Sequence, residues 1–105
     1  MGKPDDALSP EDQRVQALDL LNASHDFPVG VMVKIILHNE TAYIDAAVQV
    51  IRDQLELSFD PPYRSRETKG GRHVSITLEP TFDSAEQLLD LYAVLAKADG
   101  VVMLL

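Results

Sequence analysis

The chain has no cysteine at all. That absence removes a disulfide framework, a thiolate nucleophile, a cysteine-ligated zinc site and an iron–sulfur cluster, and it suits a reducing, cytoplasmic compartment. Positive charge is also scarce: nine Lys and Arg stand against 17 Asp and Glu, for a net charge of -8. Such a balance disfavours the polyanionic backbone of nucleic acid and anionic membrane surfaces. Long apolar runs are missing too. The best of them, residues 31–37, is interrupted by Lys34 and falls far short of the roughly 20 residues that span a bilayer. Residues 1–7 offer one lysine followed by Pro4, Asp5 and Asp6, with no apolar core segment, so no signal peptide is expected there. No motif repeats at a period of 20–50 residues, which excludes a solenoid.

What is present suits one domain. At 105 residues, with 46% hydrophobic and 25% charged residues, the chain can bury a single core and is too apolar to be disordered. Residues 1–8 lack periodicity and read as a disordered tail. Ser9-Pro10-Glu11-Asp12 is a helix start, with a cap, a first-turn proline and first-turn acids. Val15, Leu18 and Leu21 follow at helical spacing, so a helix is expected over residues 10–21. Asp26-Phe27-Pro28 then forces extended backbone. Over residues 31–38 the period is two, with Val31, Val33, Ile35 and Leu37 on one face and Met32, Lys34, Ile36 and His38 on the other, which predicts a strand. Ile44, Ala47, Val48, Ile51 and Leu55 then trace one helical stripe behind a cap at Asn39 or Thr41.

Asp60-Pro61-Pro62 withholds ladder donors and predicts a short edge strand over residues 63–67. Lys69-Gly70-Gly71-Arg72 reads as a hairpin turn. The return strand, residues 72–79, directs Val74, Ile76 and Leu78 inward and His73, Ser75, Thr77 and Glu79 outward, until Pro80 stops it. Asp83-Ser84-Ala85-Glu86-Gln87 contains two overlapping capping boxes before a helix with Leu88, Leu91, Tyr92 and Leu95 on one side. Asp99-Gly100 ends that helix, and residues 101–105 form a last strand.

After the N-terminal helix the order is therefore β-α-β-β-α-β with a central hairpin. Right-handed crossovers place both helices on one face of a four-stranded antiparallel sheet, an α+β ferredoxin-like arrangement. The expected organisation is a tail at 1–8, a helix and linker at 9–26, and a ferredoxin-like domain at 27–105. Phe27-Pro28 followed by Lys34, Ser65 ahead of Lys69-Gly70, the stretch Val74-Ser75-Ile76-Thr77, and Leu91-Tyr92 with Val102-Met103-Leu104 resemble the YbeD-like family of small bacterial proteins. The resemblance implies a domain of unknown function whose ferredoxin-like fold is similar to the regulatory ACT domains. The chain departs from the family's pattern at Leu37, where Gly is frequent, and at Arg72-His73, where an aromatic residue is frequent. The resemblance brings no catalytic residue.

The residues themselves offer little chemistry. His25, His38 and His73 fit no compact metal-ligand spacing, and no metal or cofactor is indicated. An acylphosphatase-like site needs a phosphate-cradling loop with an arginine after the first strand, whereas His38-Asn39-Glu40-Thr41 has neither arginine nor glycine and carries a repelling carboxylate. Ser75 beside His73 lacks the context of a nucleophile elbow. Stacking aromatics are missing from the outward positions of the return strand, against RNA binding. Arg64, Arg66, Lys69 and Arg72 crowd the central hairpin of an otherwise acidic chain, as a candidate anion or partner site or as edge-strand protection. Met32 and Ile36, with Lys34, His38 and His73, occupy the open sheet face. Met32 and Ile36 call for a cover, supplied either by the N-terminal helix packing on the sheet or by a second subunit. The expected function is a non-catalytic binding or regulatory module, ACT-like, that senses a small molecule or docks on a partner protein, as monomer or homodimer. The alternative is a small-molecule enzyme with its site at a subunit interface.

Overall fold

Alternation of large β-branched and polar side chains organises the molecule around one strand. In the computed structural model, which describes residues 8–105, β2 (Val33–His38) buries Val33, Ile35 and Leu37 completely and turns Lys34, Ile36 and His38 to the opposite face. Ahead of it lie α1 (Pro10–Ser24) and the two-residue β1 (Val29–Gly30). After it come α2 (Thr41–Gln54), β3 (Arg64–Glu67), β4 (His73–Leu78), β5 (Thr81–Phe82), α3 (Ala85–Ala96) and β6 (Val101–Leu104). The tail expected at 1–8 falls, apart from the exposed Leu8, outside the described residues.

The described residues form a mixed α+β structure with three helices and two antiparallel sheets. One sheet has the strand order β3-β4-β2-β6; the other is the pair β1-β5. β2 and β4 pair along their whole length, from Val33 opposite Leu78 to His38 opposite His73. This register puts Val74, Ile76 and Leu78 beside Leu37, Ile35 and Val33 on one face, where Ala47, Val48 and Ile51 of α2 and Leu88, Leu91 and Leu95 of α3 close over them in one apolar cluster. Both of these helices therefore lie on the same side of the sheet. The pair β1-β5 is not foreshadowed by any periodicity, because two-residue strands have none. It forms because Pro80 ends the β4 ladder and the chain then carries Phe82 into the core at 0% exposure, with Val29 opposite Phe82. The Val31 amide donates to Pro80 O at 3.1 Å, so β2 begins at Val33 and not at residue 31.

Local signals account for most element ends. Ser9 Oγ accepts from the Asp12 amide, and Ser84 Oγ accepts from the Gln87 amide, each at 3.1 Å. Gln87 Oε1 reaches back to the Asp83 amide at 2.7 Å, so Ser84, not Asp83, is the cap of α3. The expected cap of α2 needs correction: the N-cap is Glu40, with no side-chain cap bond, because Asn39 is drawn to the hairpin instead. At the other end of α2 the Leu57 amide donates to Arg52 O and the Glu56 amide to Asp53 O, a Schellman closure that holds Glu56 at φ 53°. Gly100, at φ 83°, is required for a second reason, since a Cβ there would overlap the Tyr43 ring.

The N-terminal helix departs from expectation. It runs to Ser24, whose hydroxyl donates to Leu20 O, and no residue in it is fully buried. Val15 is 56% exposed, so the stripe Val15, Leu18, Leu21 is not a docking face; Leu21 alone of the three touches the core. The helix packs beside α3, where Arg14 pairs with Asp90 at 3.0 Å, and it does not cover the open face of the sheet. The reason is that α3 offers an adjacent apolar flank at Leu89, Tyr92 and Ala93, on the layer where the helices already lie.

Three outcomes follow from this packing. Ile51→Asp should abolish cooperative unfolding, because a carboxylate at a site of 0% exposure has no partner; a soluble variant with a sharp melt would refute the placement of that face. Glu56→Gly should raise the unfolding free energy by up to about 1 kcal/mol in a denaturant titration, since glycine occupies the left-handed region without steric cost. Removal of residues 1–21 should lower the melting temperature by on the order of 5–10 °C while leaving the amide resonances of Ile36 and Ser75 unshifted. Shifts at those two residues would mean that the helix covers the open face of the sheet.

Candidate functional site

The face of the sheet turned away from the helices is set by the same alternation that builds the core. Register aligns its side chains in rows across the strands: Arg64, Thr77 and Lys34 in one, Arg66, Ser75, Ile36 and Met103 in the next, His73 and His38 in a third. Neighbouring strands lie about 4.8 Å apart, so the backbones of Arg64 and Lys34 are separated by roughly 10 Å, with Thr77 between them. A shallow, open hollow of about 320 Å³ on this face is lined by Lys34, Arg64, Arg66, Ser65, Ser75 and Thr77.

This hollow gathers positive charge in an acidic chain. It holds three of the nine basic residues of the sequence, all on exposed side chains. The ion pairs among the described residues, Arg14 with Asp90 and Arg52 with Asp60, lie elsewhere, so none of the described acids pairs with a cation of the hollow. The nearby acid Glu67 faces the other way, with its Oε2 accepting from Asn39 Nδ2 at 3.1 Å. Asn39 Nδ2 also donates to Gly71 O at 2.9 Å, tying the β2–α2 connection to the β3–β4 turn. The hollow thus sits on a hairpin held at both ends, by its ladder and by this clamp. Ser75 and Thr77, half-buried on the floor, add hydroxyls that can donate to a bound oxyanion.

The residues singled out in the sequence are partly regrouped. Arg64 and Arg66 come together with Lys34, which sequence distance had assigned only to the open face. Lys69 and Arg72 lie in the turn, beyond the last ladder pair Glu67–Val74, and do not line the hollow. His38 and His73 face each other with ring centroids 5.3 Å apart, and His38 also approaches the Tyr43 ring at 6.2 Å. His25 lies at the end of α1 against Phe27. Among the described residues no group of three or more potential metal ligands converges. Ile36 is half-buried by its neighbours on the sheet, and Met32 precedes β2 at 57% exposure.

Two features were not anticipated from sequence. Met103 of β6 lies opposite Ile36, through a register shift between Ile36 and Leu37 that no local pattern announces. Tyr63, read as part of the edge strand, stands just before β3, 41% exposed. It borders a second hollow of about 330 Å³ that also contains Met32, Pro62 and Leu78 and shares Arg64 and Thr77 with the first. Its aromatic ring beside two prolines was the signal available in the sequence. Away from this face, burial raises the Tyr92 phenol above its ordinary pKa in the cleft between α1 and α3.

The described residues contain no helix long and apolar enough to cross a membrane. No curated protein and no solved structure matches the chain significantly. A family model described as a protein of unknown function, DUF493, matches residues 22–105, which takes in every element from the end of α1 onward and all of the residues that line the basic hollow. The chain belongs to this DUF493, or YbeD, family of small uncharacterised proteins.

Proposed function

We propose that this protein is a non-catalytic binding module that takes up a small anionic ligand on the open face of its sheet. The observation that carries the reading is the convergence of Lys34, Arg64 and Arg66, without an ion-pair partner among the described residues, over the hydroxyls of Ser75 and Thr77. An oxyanion placed between two guanidinium groups at about 4 Å gains about 1 kcal/mol from each in bulk water and more where water is partly excluded. Arginine is suited to this task because its fork donates two parallel hydrogen bonds to a carboxylate or phosphate. The acidic remainder of the chain repels polyanions, which favours a small ligand over nucleic acid.

The fold supports a regulatory comparison. The longer elements follow the order β-α-β-β-α-β, the main sheet has the strand order β3-β4-β2-β6, and both crossover helices lie on one side. We read this as a ferredoxin-like domain of the ACT type, with β1 and β5 as an added pair. Binding without turnover is favoured by the composition of the hollow, which offers cations and hydroxyls but no paired nucleophile and base. Among the described residues Ser75 makes no hydrogen bond to His73 or His38, and neither histidine lines the hollow.

Inorganic phosphate titrated into the isotopically labelled protein should shift the Ser75 and Thr77 amide resonances saturably, and the effect should weaken as sodium chloride is raised. Arg64→Ser/Arg66→Ser should lose the response while melting within about 2 °C of the parent, because exposed charges contribute little to stability. A response that survives in the double variant would remove the hollow as the site.

A further inference from the structure

We propose that the ligand is a small amphipathic anion of the aryl phosphate type, bound with its ring in the hollow beside Tyr63 and its phosphate among Lys34, Arg64 and Arg66. This rests on the anion reading above and adds the class of molecule. The two hollows on the open face are contiguous, since Arg64 and Thr77 line both. The first is polar and basic. In the second, Met32, Pro62 and Tyr63 stand around the end of β4 at Leu78, whose own side chain is turned into the core and is 3% exposed. Large apolar side chains left 57% and 41% exposed at Met32 and Tyr63, directly beside a cationic cluster with no ion-pair partner among the described residues, match a ligand that is apolar at one end and anionic at the other.

The chemistry of the walls narrows the class further. A flexible, polarisable thioether makes favourable contacts with an aromatic ring, and a phenol ring offers a face for offset stacking, which together favour an aromatic body over a branched aliphatic one. At about 330 Å³ the apolar hollow is near the lower end of small-molecule sites, large enough for a single ring system. Glu79 lies at its rim, with its side chain beside Gly30, and sets the orientation. A negative group at that end would be repelled, so the anionic charge must lie only at the Arg64 end, where it also meets Arg66 and Lys34. The occupant is thus a free molecule with one anionic head and one ring.

Isothermal titration with inorganic phosphate, phenyl phosphate and phenol tests this directly. Phenyl phosphate is expected to bind about tenfold or more tightly than inorganic phosphate, from burial of part of the ring. Met32→Ser and Tyr63→Ser, both at exposed positions, should each bring phenyl phosphate toward the affinity of inorganic phosphate and leave inorganic phosphate itself unchanged. Arg64→Ser/Arg66→Ser should weaken both anions. Equal binding of the two phosphates to the parent protein would overturn the amphipathic assignment while leaving the anion site in place. If neither phosphate binds, the anion reading fails and this inference with it. A short phosphotyrosyl peptide that binds more tightly than phenyl phosphate would overturn the assignment to a free small molecule.

Discussion

Everything else in this molecule depends on the in-register pairing of β2 with β4. Six consecutive residue pairs, from Val33–Leu78 to His38–His73, commit the odd positions of β2 to the core and the even ones to the open face. Because side chains alternate with a period of two, a slip of one residue would drive Lys34 into the apolar cluster and expose Ile35. The penalty for burying an unpaired ammonium and losing three fully buried side chains makes that register unique. It also makes core and candidate site inseparable: the ladder that seats Ile76 against Ile35 is the one that sets Thr77 beside Lys34.

Charge is distributed to match. The helices and connecting segments carry most of the acids, and two of their cations are held locally, Arg14 on Asp90 and Arg52 on Asp60 and Ser58 O. On the sheet, the exposed strand β3 contributes Arg64 and Arg66 to the open face and turns Glu67 away toward Asn39. An edge strand gains protection from such charges, since they oppose pairing with another chain. The same two arginines therefore guard the edge and supply the anion hollow, two roles that do not compete as long as the ligand is small.

The hairpin shows how positioning and rigidity are combined. Gly70 and Gly71, at φ 90° and 74°, close the turn, and Asn39 Nδ2 fastens it to the start of α2. A cap for α2 is forgone in exchange, an omission that helix propensity alone would not suggest. Tyr43, packed on Gly100 and near His38, joins the same end of the sheet to the connection that enters β6.

Much of the architecture was legible in residue order. The Ser9 and Ser84 caps, the stripe through Ile51, the period-two run through Ile35 and Ile76, and the Gly70-Gly71 turn each have a local cause, so the helices, the hairpin and the core residues follow from the chain read in short windows. The resting place of α1 did not follow, because its weak apolar stripe fits any flat apolar surface and only the flank of α3 decides among them. Nor did the pair β1-β5 or the neighbours of Met103, which depend on where Pro80 ends one ladder and on a register shift in another. The candidate site lies between these cases. Sequence placed Arg64 and Arg66 together because they are two residues apart on one strand, and added Lys69 and Arg72 because they are near in number. Only the tertiary structure brought in Lys34, thirty residues earlier than Arg64, and left the turn residues out, because strands become neighbours through hydrogen-bonded register and not through proximity along the chain.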